Sequence, residues 1–176
     1  LFYWLVVSKQ EFGVDKQPFK KILIANRGEI AIRIARAAFE LGINTVGVYS
    51  HEDRFSLHRY KTDESYKIGS QGDPLGAYLD YGALAEFAEK VGADAVHPGY
   101  GFLSESAEFA DACRQRGIVF IGPSVQILRD FGDKVSARKT AAAAGINIIP
   151  GTTNPVQDLA EARQWADRIG FPITCL

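Results

Sequence analysis

A polar turn directly after an apolar run is the first place in this sequence where chemistry could occur. Lys21 to Ala25 is apolar after its first residue, and Asn26-Arg27-Gly28-Glu29 follows at once. A strand that ends in such a turn and opens a helix presents backbone N–H groups and the positive helix end, which favour an anion. The turn matches neither the GxGxxG nor the GxxxxGK[ST] pattern. For Asn26 and Gly28, ordinary turn chemistry is the alternative to a ligand role.

A second unusual turn follows another short apolar run and spans His97 to Glu105, with the sequence HPGYGFLSE. Its two glycines and its proline let the backbone approach a ligand closely, while Tyr100 projects a phenol. His97 is either a base or a hydrogen-bonded structural residue. Ser104 is the predicted N-cap of the next helix, and Glu105 would add negative charge to the first turn of that helix. Both turns on one sheet edge predict one shared cleft.

A basic pair, Lys134 and Arg138, lies four residues apart on a predicted helix face. Such a pair is either a phosphate clamp or a solvated basic face. Other chemistry is not indicated. The formal net charge of -1, without a basic run, argues against a nucleic-acid partner, and no segment has the length of a membrane span.

Metal and disulfide chemistry are not predicted either. His51 and His58 lack partners at ligand spacing, and Cys113 and Cys175 are far apart and form no CxxC motif. No metal site is therefore assigned. A reducing compartment is the default location, which means the cytoplasm, or the mitochondrial matrix in a eukaryote.

Strand and helix patterns alternate along the chain, which predicts an α/β fold with a Rossmann-like parallel sheet flanked by helices. The predicted strands are Lys21 to Ala25, Thr45 to Tyr49, Ser65 to Ile68, Ala93 to Val96 and Ile118 to Ile121. The predicted helices are Gly28 to Leu41, Ala77 to Val91, Ser104 to Arg116, a short one to Phe131, one from Gly132 through Ala144, and Asp158 to Ile169.

The first helix carries two stripes. Arg33, Arg36 and Glu40 form a charged one, which is either a solvated face or a subunit contact. Its apolar stripe is predicted to pack on the sheet and consists of Ile30, Ile34, Ala37, Ala38 and Leu41.

Residues 1–18 are expected to form a flexible lead-in. Their apolar start is expected to be the truncated end of a larger reading frame or a partial leader sequence. A main domain is expected over 19–150. The stretch from Pro150 to Pro155 reads as a linker, and 151–176 as a linker, a helix and the start of another domain. Phe171 to Leu176 is predicted to begin a new strand without a successor, so the chain is expected to be part of something longer.

Five motifs, in matching order and spacing, closely resemble the amino-terminal part of the biotin carboxylase family. They are ANRGEIAIRI (25–34), YSHEDRFSLH (49–58), HPGYGFLSE (97–105), FIGPS (120–124) and GDKVSAR (132–138). The resemblance covers about Phe19 to Ile173. The SHEDR stretch at 50–54 and the GAYL stretch at 76–79 look most like the pyruvate carboxylase branch of the family.

The resemblance implies a Rossmann-like domain that precedes an ATP-grasp module. The family's activity is a ligase reaction, in which bicarbonate and MgATP carboxylate biotin. In the pyruvate carboxylase branch the carboxyl group then passes to pyruvate in a separate domain. By position, Tyr100, with His97 and Glu105, would face the biotin and bicarbonate end of the cleft, and Lys134 would lie toward the nucleotide. The helix with the charged stripe resembles the family's dimer-contacting helix. A biotin carboxyl carrier domain is a further expected partner.

The chain also departs from the family pattern. Some biotin carboxylases have a nucleotide-contacting lysine directly after Ile-Gly-Pro, where this chain has Ser124. The family's glycine-rich loop, phosphate-binding lysine, magnesium carboxylates and biotin-proximal arginines would follow Leu176. We therefore expect the isolated chain to be inactive and to bind ATP, Mg²⁺ and biotin weakly. The alternatives are a fragment of an acyl-CoA carboxylase and a non-catalytic, dimerising scaffold domain.

Overall fold

A computed structural model describes residues 19–132, 134–152, 154 and 156–173, and of Lys134 only its place in a helix. The predicted lead-in at 1–18 and Cys175 lie outside these residues. The chain divides into two compact units, one ending at Pro123 and the other beginning at Ser124. The domain boundary expected between residues 150 and 151 stays a prediction.

The first unit is built on a parallel sheet, which confirms the predicted fold class. Within the described residues five strands pair in the order β3-β2-β1-β4-β5, and every pairing is parallel. This order reverses direction at β1, as in the Rossmann fold. The strands are β1 Lys21–Ile24, β2 Asn44–Tyr49, β3 Glu64–Lys67, β4 Ala95–His97 and β5 Val119–Phe120.

The central strand β1 is buried on both faces, and its alternating side chains enter two cores. Leu23 belongs to one core, with Val46, Val48 and Val96. Ile22 and Ile24 belong to the other. Period-two alternation in a covered strand explains why a short continuous apolar run, rather than an amphipathic one, marks this strand in the sequence.

Helix α1, Gly28–Glu40, packs on the second core. Its buried stripe is Ala31, Ile34, Ala35 and Ala38, so the predicted stripe is wrong at Ala37 and Leu41, which are only half-buried. The structure turns the helix so that three alanines face the sheet. Leu41 lies just beyond the last helical residue, as the C-cap of α1.

The opposite face of the sheet carries three helices, and two of their predicted boundaries are wrong. Asp80 interrupts the helix expected from Ala77 to Val91, because its carboxylate accepts a hydrogen bond from the N–H of Ala83 and caps a new helix. The helix expected from Ser104 starts later, and Ser106 is its cap. The helices are α2 Gly76–Leu79, α3 Tyr81–Lys90 and α4 Ala107–Gln115.

In the second unit, the part of the chain that the structure describes forms helices at the three predicted places. They are α5 Val125–Gly132, α6 Lys134–Ala143 and α7 Leu159–Ile169. Phe171, Pro172 and Ile173 belong to no strand, so the strand predicted from Phe171 is wrong for these residues. A strand needs a hydrogen-bonding neighbour, and none of the described residues of this unit forms a strand. None of the described helices combines the length and apolar character needed to cross a bilayer.

Candidate functional site

A cleft opens at the carboxyl edge of the sheet, between the turn after β1 and the turn after β4. These two strands are neighbours, and the helices that follow them cover opposite faces of the sheet. In open parallel sheets this is the place where ligands bind. The cleft has a volume of about 430 Å³, and both expected turns line it with Asn26, Arg27, Gly28, Ile30, Tyr100, Gly101 and Phe102.

Asn26 joins the two turns. Its side-chain amide donates hydrogen bonds to the carbonyl oxygens of Pro98 and Tyr100, at 2.7 and 2.9 Å. Its Oδ1 accepts a hydrogen bond from the backbone N–H of Arg27 at 2.8 Å. The residue is only 2% exposed. Asn26 therefore does more than stabilise its own turn, because it fixes the position of a turn that lies more than seventy residues later in the chain.

Gly99 is required where the two turns meet. Its φ of +72° lies in the left-handed region, which side chains disfavour. A Cβ atom there would lie 2.8 Å from Nδ2 of Asn26 and 3.1 Å from Cγ1 of Ile30. Phe102 is left-handed as well, with φ 44°, and its ring stacks on Tyr78 at 5.4 Å between centroids. The second turn thus holds an unusual backbone path through packing against its neighbours.

Tyr100 stands at the mouth of the cleft, where it is 61% exposed. Its hydroxyl donates a hydrogen bond to Oε2 of Glu29 at 3.3 Å, and Glu29 also pairs with Arg33 one helical turn further on, at 3.4 Å. Both contacts are exposed and therefore weak. The phenol is accessible to a ligand in the cleft, and binding such a ligand would break only the exposed hydrogen bond to Glu29.

His97 stabilises the second turn through a hydrogen bond to its backbone. Its Nδ1 accepts a hydrogen bond from the backbone N–H of Gly99 at 3.0 Å, so in the neutral ring the proton is on Nε2. Burial lowers the pKa of His97 below its usual value. His97 is not among the cleft-lining residues. This geometry favours the structural alternative over the base, although the role of His97 near a substrate stays a prediction.

Arg27 leaves the first turn and reaches a buried acidic residue, Asp53, in the first of two 3₁₀ turns after β2, Glu52–Phe55 and Leu57–Tyr60. Nη2 of Arg27 lies 3.0 Å from Oδ1 of Asp53. The carboxylate also accepts hydrogen bonds from the hydroxyls of Tyr78 at 2.8 Å, Ser56 at 2.9 Å and Ser50 at 3.4 Å. Burial, with Asp53 beside it, raises the pKa of Tyr78, which stays a neutral donor.

His58 lies in the same region and is 1% exposed. Its Nε2 is 3.2 Å from the carbonyl oxygen of Val48, which can only accept, so Nε2 carries the proton. Its Nδ1 has no hydrogen-bond partner among the described residues. Burial lowers the pKa of His58, because a second proton would place a charge in the core.

Buried His58 and half-buried His97 together predict a loss of stability in mild acid. Both have a lowered pKa in the folded chain, whereas an unfolded histidine titrates near about 6.5. Below that pH the unfolded chain binds protons that the folded chain does not, so the free energy of unfolding falls as the pH falls from about 7.5 to 5.5. Urea unfolding at several pH values measures this slope.

A His58→Gln variant is expected to flatten the slope between the same pH values, whereas His51→Gln, which removes a histidine outside the core, serves as the control. An unchanged slope in His58→Gln would contradict the assignment to this residue.

The remaining predicted site residues do not line the cleft, as far as the described residues show. Glu105 is exposed and lies in the turn before α4, outside the cleft lining. Arg33, Arg36 and Glu40 lie on the exposed face of α1, as expected for either alternative. Lys134 begins α6, and its side chain lies outside the described residues. Arg138 donates to the carbonyl oxygen of Ile149 at 2.8 Å, within its own unit. The roles of these residues stay predictions.

Metal and thiol chemistry find no support among the residues that the structure describes. No group of three or more His, Cys, Asp or Glu side chains there could hold a metal ion. Cys113 is buried, and burial raises the pKa of its thiol to about 11, so it is inert at neutral pH.

Sequence reasoning missed the roles of Asp53 and Tyr78. Both belong to stretches that carry the family resemblance, SHEDR and GAYL, but neither stretch contains a pattern that by itself predicts an ion pair between a half-exposed arginine and a buried aspartate. The pairing depends on three segments that meet only in the folded chain, around Arg27, Asp53 and Tyr78.

Two family matches cover most of the chain. Residues 18–128 match the biotin carboxylase N-terminal domain, and residues 133–175 match the ATP-binding domain of the carbamoyl-phosphate synthase L chain.

Curated relatives and solved structures agree with these matches. The chain is 52% identical over 168 residues to the mitochondrial pyruvate carboxylase of Rattus norvegicus, which covers 96% of the chain and 14% of the rat protein. It is 53% identical over 154 residues to the pyruvate carboxylase of Staphylococcus aureus, covering 88% and 13%. The biotin carboxylase domain of Hydrogenobacter thermophilus 2-oxoglutarate carboxylase, solved with MgADP and bicarbonate, matches with a TM-score of 0.84 at 43% identity, over 89% of this chain and 34% of that domain.

Proposed function

Because the chain belongs to the biotin carboxylase N-terminal domain family, we propose that it is the opening part of an ATP-dependent biotin carboxylase of the pyruvate carboxylase type. The single observation that carries this proposal is the 52% identity to a pyruvate carboxylase across 96% of the chain. The chain spans about 14% of the length of that relative. We therefore propose that it acts as part of a longer enzyme and is inactive when isolated.

The proposed reaction carboxylates biotin with bicarbonate, and MgATP supplies the phosphoryl group that activates the bicarbonate. The bicarbonate and MgADP in the structure of the Hydrogenobacter relative support these ligands. The donor set for a metal ion is not found in the described part of this chain, so no step through Mg²⁺ is assigned to its residues. The nucleotide role proposed for Lys134 rests on the family resemblance alone.

The residues of the cleft fit the end of the site that receives bicarbonate and biotin. Tyr100 offers an exposed hydroxyl that can donate to a ligand oxygen, and Arg27 offers a positive charge on the opposite wall. Asn26 uses both of its amide hydrogens on the second turn and therefore positions Tyr100 instead of binding a ligand. His97 acts on the same turn through Gly99.

A chimera tests the proposed function. The chain replaces the aligned segment of the Staphylococcus aureus pyruvate carboxylase, and two products are measured: ADP released in the presence of MgATP, bicarbonate and free biotin, and oxaloacetate formed from pyruvate. We expect the chimera to form both products and the isolated chain to release no ADP above background.

A chimera that assembles like the parent enzyme in sedimentation, yet forms neither product, would overturn the proposal. ADP release by the isolated chain would overturn the claim that it is inactive. The choice of acceptor, pyruvate or an acyl-CoA, is made by domains outside this chain. The sequence of the longer reading frame would identify those domains. The high identity to pyruvate carboxylases favours pyruvate.

A homodimer or higher homo-oligomer through α1 is part of the proposal, as is a biotin carboxyl carrier domain as a further partner. The side chains of Arg33 and Arg36 are 70% and 80% exposed, and each pairs with a glutamate of its own helix. Phe39 on the same helix is 81% exposed, an unusual position for a large apolar side chain. A protein surface that covers this helix would bury Phe39 and keep the charged pairs at its rim.

An Arg36→Glu variant is expected to weaken the dimer for two reasons. It removes a cation from the contact, and it places a second negative charge four residues before Glu40 on the same helix face. Sedimentation velocity at increasing concentrations measures the shift toward monomer. Arg114→Glu is the matched control, since Arg114 makes a similar pair with Asp111 on α4, at the opposite face of the sheet. A wild-type chain that is monomeric at high micromolar concentration would contradict the dimer.

The proposed location follows from the relatives, which include a mitochondrial enzyme of rat and an enzyme of a bacterium. We place this protein in the cytoplasm, or in the mitochondrial matrix if it comes from a eukaryote.

A further inference from the structure

Phe102 has a strained backbone in the lining of the cleft, and the proposed reaction gives it no role. Among the described residues it is the only residue other than glycine with a φ in the left-handed region, at 44°. A side chain disfavours this region, because its Cβ then lies too close to the following carbonyl oxygen. Such strain persists only where the surroundings impose it, and it is concentrated at functional sites. Whatever imposes the φ of Phe102 therefore shapes the cleft as well.

Tyr78 in helix α2 packs on the side chain of Phe102. The two rings stack with 5.4 Å between their centroids and 24° between their planes, a geometry that aromatic pairs favour. Tyr78 is fully buried, whereas Phe102 is half-buried, so Tyr78 is the more constrained member of the pair. Within the described part of the chain this is the only aromatic pair that Phe102 forms. The ring of Tyr78 therefore limits where the side chain of Phe102 can lie.

The hydroxyl of Tyr78 fixes this ring at its far end. It donates a hydrogen bond to Oδ2 of Asp53 at 2.8 Å and accepts one from the backbone N–H of Ser50 at 3.1 Å. Both partners follow β2, and both are buried. Asp53 in turn pairs with Arg27 of the first turn, at 3.0 Å. One buried side chain thus connects the first turn of the cleft to the second.

We propose that Tyr78 is a positioning residue for the cleft. Its ring keeps Phe102 in the left-handed conformation, and this directs the preceding backbone so that Tyr100 stands at the mouth of the cleft. Asn26 holds the carbonyl oxygen of Tyr100, so the turn is fixed on both sides of residue 101. Tyr78 does not line the cleft and acts on a substrate only through Phe102. The choice of biotin as the substrate that reports this effect rests on the proposed function.

The first test needs no substrate. Three-bond NMR couplings of the isotopically labelled chain measure φ at residue 102, and we expect a left-handed value in the wild type and in Tyr78→Phe, which keeps the ring. Tyr78→Leu removes the stack, so the couplings should move toward an extended backbone. Phe102→Leu removes the same stack at a half-buried position, which disturbs the core less, and should give the same change.

Phe109→Leu is the matched control for this measurement. Phe109 is a fully buried aromatic residue of the same core, but its ring pairs with Phe120 and not with Phe102. The variant should leave φ at residue 102 unchanged, and the amide spectrum shows whether each variant is folded. A left-handed residue 102 in folded Tyr78→Leu or in Phe102→Leu overturns the proposal, as does an extended one in the wild type.

The second test measures ADP release by the chimera at varied free biotin and, separately, at varied MgATP. Tyr78→Leu and Phe102→Leu should raise the KM for biotin about tenfold, because they misplace one wall of the cleft, and leave the KM for MgATP unchanged. Phe109→Leu should change neither KM. A general loosening of the domain would lower kcat or raise both KM values, and either result in the Tyr78 and Phe102 variants overturns a positioning role.

Rescue by a residue that favours the left-handed region separates positioning from packing. Asparagine adopts this region more readily than other residues with a side chain, so Phe102→Asn should keep its φ without help from the ring of Tyr78. In the Phe102→Asn chimera, Tyr78→Leu should therefore raise the KM for biotin by less than about twofold. A full tenfold rise in this background contradicts the proposal. If the chimera forms no product, the φ measurement still decides, so the positioning role and the proposed function can fail independently.

Discussion

An Asn26→Ala variant is expected to lose about 2 to 4 kcal/mol of unfolding free energy. The substitution removes three hydrogen bonds at a residue that is 2% exposed, and it leaves the carbonyl oxygens of Pro98 and Tyr100 and the N–H of Arg27 without their partner. A buried polar group without a partner costs more than the bond itself contributes, because its hydration is not recovered. Urea unfolding of the chain measures the loss.

The same substitution should strongly reduce the activity of the chimera, because the second turn, with Tyr100, loses its attachment to the first. Displacement of a binding group by about 1 Å is enough to reduce turnover about a hundredfold. Asn44→Ala is the matched control, since Asn44 is exposed at the start of β2, and we expect it to change stability by no more than about 0.5 kcal/mol. An Asn26→Ala variant as stable as this control would refute the role of Asn26.

A Gly99→Ala variant is expected to cost about 2 to 4 kcal/mol for two separate reasons. The left-handed φ of +72° disfavours any Cβ, and the added methyl group would meet Nδ2 of Asn26 at 2.8 Å. Either the backbone of the second turn or the side chain of Asn26 must then move, and both moves disturb the cleft. Urea unfolding and oxaloacetate formation by the chimera measure the two consequences.

Gly92→Ala separates these two reasons. Gly92 has φ +68°, almost the same as Gly99, but a Cβ there would meet nothing within 4 Å. This control should lose only about 1 kcal/mol, the cost of the left-handed backbone, and the difference between the two variants is the cost of the overlap. Equal losses at Gly99 and Gly92 would show that the close contact does not matter.

The double variant Asn26→Ala, Gly99→Ala should cost less than the sum of the two single losses, by about 1 kcal/mol. The overlap with Nδ2 disappears once residue 26 is alanine, so that part of the penalty is counted only in the single Gly99→Ala variant. Strict additivity would mean that the two turns do not touch in solution.

Much of the fold was predictable because strand and helix patterns are local. All five predicted strands are present, although β4 begins two residues later than expected. The carboxylate of Asp94, which the prediction included in that strand, instead accepts hydrogen bonds from the backbone N–H groups of Lys20 and Lys21 at 2.8 and 2.9 Å. Helix caps were less predictable. Ser104 and Ser106 both look like N-caps in the sequence, and only the folded turn decides that Ser106 accepts the hydrogen bond from Phe109.

By itself the sequence determined the parallel α/β class, the family and the two turns that line the cleft, because apolar runs, glycines and motif spacing are properties of short segments. Only the tertiary structure decided how those segments meet. The strand order makes β1 and β4 neighbours, although β2 and β3 lie between them in the chain, and this brings Asn26 to Pro98. It likewise brings Arg27 to Asp53 and Tyr78. Contacts between distant segments depend on which elements share a sheet edge and on what their packing leaves open, and no local pattern of residues contains that information.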